Sequence, residues 1–140
     1  MAEGLERFVA AQARDYAGAL GELRSGRKVG HWIWYVFPQI AGLGLSAMSQ
    51  RYAIGDLAEA RVYLDHPVLG PRLVEASKAV LGWSGRRSAE AMLGGIDALK
   101  LRSSATLFEA AGGEPVFPGL LDAFYNGVRD PETLRLLSPG

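Results

Sequence analysis

Apolar residues recur every three or four positions through most of this chain, and no pair of segments keeps the period-two alternation of strands. Over residues 5–23, Leu5, Phe8, Val9, Tyr16, Leu20 and Leu23 share one helical face and Ser25-Gly26 supplies a stop, which predicts a first helix. A short helix is predicted from Ser46 through Arg51 and Tyr52. Asp56 with Glu59 resembles a capping box opening a helix through Ala60 to Leu64. Beyond His66-Pro67, the face formed by Leu69, Leu73, Ala76, Val80 and Leu81 predicts another, and Ser88 caps a short one ending at Gly94-Gly95. Asp97 is expected to cap a helix over residues 98–111, another spans 115–125, and Asp130-Pro131-Glu132-Thr133 opens the last with a cap, a proline and an acid in its first turn. The pattern therefore predicts an irregular all-helical bundle of about seven or eight helices, several short, in one domain over residues 1–140.

Two stretches break the simple pattern and carry the candidate chemistry. The first is His31-Trp32-Ile33-Trp34-Tyr35-Val36-Phe37-Pro38-Gln39, aromatic enough that burial is expected. As a helical turn it places His31 and Tyr35 on one face; as a strand it also puts them on one side, with Trp32, Trp34 and Val36 on the other. Either backbone is expected to bring imidazole and phenol together in a polar seam, where each needs a hydrogen-bond partner. Gln12 lies in line with Phe8, Val9 and Tyr16, so its amide is also expected inside, as a core link or as part of a site.

The second is the helix after Asp97. At about 100° per residue, Arg102, Thr106 and Glu109 cluster on one narrow side, read as solvent-facing. Ile96, Leu99, Leu101, Ala105, Leu107, Phe108 and Ala110 fill a broad arc expected in the core, and Lys100, Ser103 and Ser104 intrude into it. Lysine is almost never fully buried without a partner. Either Lys100 reaches solvent along its stem, or an anion meets it, from this chain or from a ligand.

Composition narrows the classes. Fifteen basic residues balance fifteen acidic ones without long runs, so the basic footprint of a duplex nucleic-acid binder is absent. With no cysteine there are no disulfides and no thiolate metal sites, and no second histidine stands near His66 at metal-ligand spacing, so no metal or cofactor is expected. The first residues lack the basic and apolar regions of a secretory signal, and no apolar run approaches the ~18 residues of a membrane span. A cytoplasmic location is expected. Gly42-x-Gly44 is only a fragment of a dinucleotide fingerprint, without its third glycine or its strand-then-helix context. No nucleophile elbow, Walker loop, HExxH or zinc-deaminase pattern is present.

Several motifs together resemble a known family: Arg7-Phe8-Val9-x-Ala11-Gln12, His31-Trp32-x-Trp34-x-x-Phe37-Pro38-Gln39, Gly42-Leu43-Gly44, Gln50-Arg51-Tyr52-Ala53-Ile54, His66-Pro67-Val68-Leu69-Gly70-Pro71-Arg72-Leu73, and Asp97-x-Leu99-Lys100-Leu101-Arg102-Ser103-Ser104-x-Thr106-Leu107-Phe108. The chain is similar to small bacterial proteins catalogued as a domain of unknown function, some of them mislabelled calpastatin. The resemblance implies an all-helical single domain and no established activity. Its signature residues coincide with the polar intrusions Gln12, His31, Gln39, Lys100, Ser103 and Ser104.

The functional expectation is binding, or processing, of a small anionic nucleotide- or phosphate-like ligand. Lys100, Ser103 and Ser104 would face the anion and Trp32 or Trp34 would stack on a ring, with Gln12, Tyr35 and Gln39 completing the polar lining. If the site turns over, His31 is the proton-shuttle candidate. The alternative is a non-catalytic protein-interaction module in which the same residues form an internal network. Nothing in the sequence places Lys100 beside His31.

Overall fold

The first helix, α1 (Ala2–Arg24), buries Leu5, Phe8, Ala11, Gln12, Tyr16, Ala19, Leu20 and Leu23 along one face, as its spacing requires. This is a computed structural model of the chain, and it describes residues 2–138. The aromatic stretch forms a single helical turn, α2 (Ile33–Val36), closed by Pro38, which cannot continue it. Then follow α3 (Ala47–Arg51), α4 (Leu57–Asp65), α5 (Leu69–Leu81), α6 (Ala89–Leu93), α7 (Gly95–Ala110), α8 (Val116–Phe124) and α9 (Pro131–Leu137). Nine helices are thus present among the described residues, the additional one being the single turn α2, and there is no strand. One parallel bridge, Ile40 with Ile54, ties the loop after α2 to the loop after α3. No described helix is long and apolar enough to cross a membrane.

Side-chain caps fix four helix starts where the sequence marks them. Ser46, Asp56, Ser88 and Asp130 each accept the backbone N–H three residues on. His66 serves α5 in the same way, its Nδ1 accepting from Val68 and Leu69. The helix expected to start at Asp97 begins earlier. Gly94, at φ +87°, turns the chain directly from α6 into α7, and Asp97 falls inside the first turn with its carboxylate free for other partners.

Helix α7 is the centre of the molecule and packs against α2, α4, α6, α8 and α9. Seven of the eight residues from 101 to 108 are buried. The strip Arg102, Thr106 and Glu109, expected to face solvent, is covered by the segment leading into α9. Arg102 donates to the carbonyls of Val128 and Arg129, Thr106 Oγ1 accepts from Asp130 N at 3.0 Å, and Arg129 forks onto Glu109. Conversely, Ile96 and Leu99, expected in the core, are 74% and 60% exposed. The wheel's two faces are right in spacing; what covers each is decided by where α9 returns.

An aromatic chain threads the core: Tyr35, Tyr52, Phe8, Tyr63, Phe108 and Phe117 follow one another at centroid separations of 5.1 to 5.8 Å, joining α2, α1, α4, α7 and α8. Gln12 sits beside it. Its Nε2 donates to the Tyr35 carbonyl at 2.7 Å and to the Tyr63 hydroxyl at 3.1 Å, so this amide is a sealed link between three helices.

Candidate functional site

The helical turn of α2 begins only after Trp32, so His31 stands outside it and the four-residue relation to Tyr35 is lost. His31 is exposed, contrary to the expectation of burial, and Tyr35 Oη meets only its backbone carbonyl, at 3.4 Å. The Tyr35 hydroxyl instead donates to Asp15 of α1 in a short hydrogen bond. Burial, then that carboxylate, raise the phenol above its ordinary pKa. The same bond, with Arg14, lowers Asp15. His31, Trp32 and Tyr35 line a cleft of about 230 Å³ with Arg14, Asp15 and Glu22. Glu22 Oε1 accepts from Val29 N, Gly30 N and the Trp32 indole at 2.7 to 2.9 Å. Burial works against ionisation of Glu22, but these bonds and Lys28 outweigh it and hold the carboxylate below its usual range.

A second group gathers on the other side of α2. Trp34, Gln39, Lys100 and Ser103 line two small adjoining clefts of about 150 and 240 Å³ that share Gln39, Leu43, Gly44 and Ser49. Their walls are α2, the loop after it, α3 and the first turns of α7, with Asp130 and Glu132 at the start of α9. Lys100 Nζ lies 5.1 Å from the Trp34 ring centroid, within cation–π range. Trp34 Nε1 is enclosed and finds no acceptor among the described residues. Ser103 Oγ bonds back to the Leu99 carbonyl at 3.2 Å, while Ser104 is buried in the core beyond the clefts.

Asp97 connects the two sides. Its Oδ2 lies 2.8 Å from Lys28, which also covers the Trp32 ring at 5.0 Å, and its Oδ1 lies 3.6 Å from Lys100. One carboxylate thus serves two ammonium groups and is held closely by one of them. The looser partner is Lys100, half-buried at the cleft, and this leaves it with unmatched positive charge. Two acids share the larger of the clefts: Asp130, whose Oδ2 caps α9 through Thr133, and Glu132, which pairs with Arg135, a pairing that lowers its pKa.

The nine expected site residues therefore divide by place. Four, Lys100 among them, line the two adjoining clefts, three lie in the His31 cleft, and Gln12 and Ser104 belong to the core. The pairing of Asp97 with Lys28 and Lys100 is hidden in the sequence because Asp97 reads as a cap. Its i, i+3 relation to Lys100 was the available signal.

A larger cleft, about 780 Å³ between α4, α5 and residues 111–114, holds none of these residues. Leu64, Pro71, Val74 and Ala111 line it together with Arg61, Lys78, Asp65, Glu75 and Glu114. Glu75 is already engaged by Tyr16 and Arg24. Size favours this cleft. The convergence of an under-paired cation, an indole and amide and hydroxyl groups favours the Lys100 site.

A single all-helical domain with an aromatic-and-lysine cleft is the class that fold and site define. The chain belongs to the family described as a protein of unknown function (DUF1810), whose model matches residues 2–137. Its structure is similar to the crystal structure of the conserved hypothetical protein Rv1873 from Mycobacterium tuberculosis, with a TM-score of 0.94 and 48% sequence identity over 97% of each chain. No curated protein matches it.

Proposed function

We propose that this chain binds a small anionic ligand, nucleotide- or phosphate-like, in the cleft between α2, the loop at residues 39–44 and the start of α7. Lys100 supplies the counter-charge, the Trp34 ring a wall, and Gln39 and Ser103 the polar lining. The observation that supports this reading is the Lys28–Asp97–Lys100 row, in which two cations share one carboxylate and the more weakly held cation borders the cleft. An anion entering there would complete a charge pairing in a partly desolvated place, where such pairs are stronger than in water. His31 lies in the other cleft, so the reading is of binding; a proton transfer by His31 on a ligand held at Lys100 finds no support in this arrangement.

The test is thermal denaturation of the purified protein against nucleotides, ADP-ribose, sugar phosphates and inorganic anions, in parallel with Lys100→Met. A ligand specific for the folded state at a hundred times its Kd adds about 2.7 kcal/mol of stability. One compound is expected to raise the melting temperature of the natural chain and leave the variant unmoved. Equal shifts in both proteins, or none in either, would refute the reading. In that case the alternative of a non-catalytic interaction module gains, since sealed Gln12 has the structural role which that alternative assigns to the polar set.

A further inference from the structure

The cleft beside Lys100 is only partly polar. Leu43, Ile96 and Leu99 line it together with Lys100 and Ser103. Ile96 and Leu99 stay largely exposed at the start of a helix that buries almost every residue of its middle. They follow one another at i, i+3, one turn apart, and Lys100 follows Leu99 directly, so cation and apolar pair border the same opening. The opposite sign is present too: Asp130 and Glu132 share this cleft. Asp130 Oδ2 is held by Thr133 and Glu132 Oε1 by Arg135, which keeps both carboxylates at the start of α9. An extended polyphosphate would meet these carboxylates, and like charges in a confined cleft repel. A single compact anionic head at Lys100 avoids them.

Resting on the anion-binding reading above, we infer that the natural ligand is an amphiphile: a monophosphate ester whose charged head pairs with Lys100 and whose short alkyl or aryl group covers Leu43, Ile96 and Leu99. Charge complementarity fixes the head, and the adjoining apolar residues fix what is joined to it. Each methylene transferred from water onto such residues strengthens binding several-fold.

The test is calorimetric titration with hexyl phosphate, inorganic phosphate, hexanol and ATP, using the natural chain, Leu99→Asn and Lys100→Met. Leu99 is exposed, so Leu99→Asn folds normally, which circular dichroism checks. Hexyl phosphate is expected to bind at least about tenfold more tightly than inorganic phosphate, and more tightly than ATP. Leu99→Asn is expected to remove most of that advantage and to change phosphate binding far less than hexyl phosphate binding, while Lys100→Met weakens both phosphates. Equal binding of hexyl and inorganic phosphate, both lost in Lys100→Met, would overturn the amphiphile and leave the anion site standing. Absence of binding by any of these anions would remove both. Sedimentation showing a dimer that Leu99→Asn dissociates would also overturn the inference, by making the apolar pair a contact between copies.

Discussion

Trp34 and Thr106 show how one hydrogen bond decides a residue's role. The Trp34 indole N–H is enclosed without an acceptor among the described residues. A buried, unmade hydrogen bond costs about 1 to 3 kcal/mol, so Trp34→Phe is expected to leave stability equal or higher in urea titration despite the smaller ring. A clear loss of stability would show that the N–H has a partner in solution. Thr106 is the opposite case. Its hydroxyl donates to the Arg102 carbonyl and accepts from Asp130 N. Thr106→Val keeps the shape, orphans that N–H at the start of α9, and is expected to lower stability by about 1 to 3 kcal/mol. The same measurement reads it. Polar residues at apolar positions are visible in a sequence, but whether each is sealed, like Gln12, or open, like Lys100, depends on contacts between segments far apart in the chain. Near neighbours can also part: Trp32 and Trp34, two positions apart, each meet a lysine but line different clefts.

At the level of elements, the hairpin of α4 and α5 rests on Gly70. A Cβ there would lie 2.1 Å from the Leu64 carbonyl oxygen, which is backbone and cannot swing aside. Gly70→Ala therefore forces the two helices apart and is expected to cost about 1 to 3 kcal/mol or more, read as a lowered thermal midpoint. The connection from α1 to α2 is held differently, by three donors on Glu22. Its folded pKa lies below its ordinary 4.5. The stability it contributes is thus complete above that value and is lost as pH falls through the depressed one. Glu22→Gln is expected to lower stability at neutral pH and flatten the acid limb below about pH 4.5 in denaturant midpoints measured from pH 3 to 7. An unchanged acid limb would assign the titration elsewhere. Ser46, Asp56, Ser88 and Asp130 made their helix starts legible because a cap is a local bond. The start of α7 was not legible, because Gly94 makes the turn and frees Asp97 for Lys28, sixty-nine positions away in sequence and invisible to any local pattern.

Across the whole molecule, periodicity made the helical class legible, whereas the sites depend on how the helices are arranged. The face of α7 expected in water is roofed by the segment into α9, and part of the face expected in the core stays bare. That exchange leaves the first turns of the helix open, and Lys100 and Ser103 line a cleft there. Gln12 binds groups twenty-three and fifty-one positions downstream, across three helices. Gln12→Leu would leave the Tyr35 carbonyl and Tyr63 hydroxyl unpaired, two losses against one gain, since Gln12 Oε1 is itself buried without a partner among the described residues, and is expected to cost about 1 to 3 kcal/mol. Both protons on Gln12 Nε2 are engaged at the meeting point of α1, α2 and α4. Fraying of a single helix end does not reach them. In deuterated solvent the Gln12 side-chain amide signals should outlast those of surface glutamines by orders of magnitude and fade at the rate of global opening, making one carboxamide a clock for the unfolding of the entire chain.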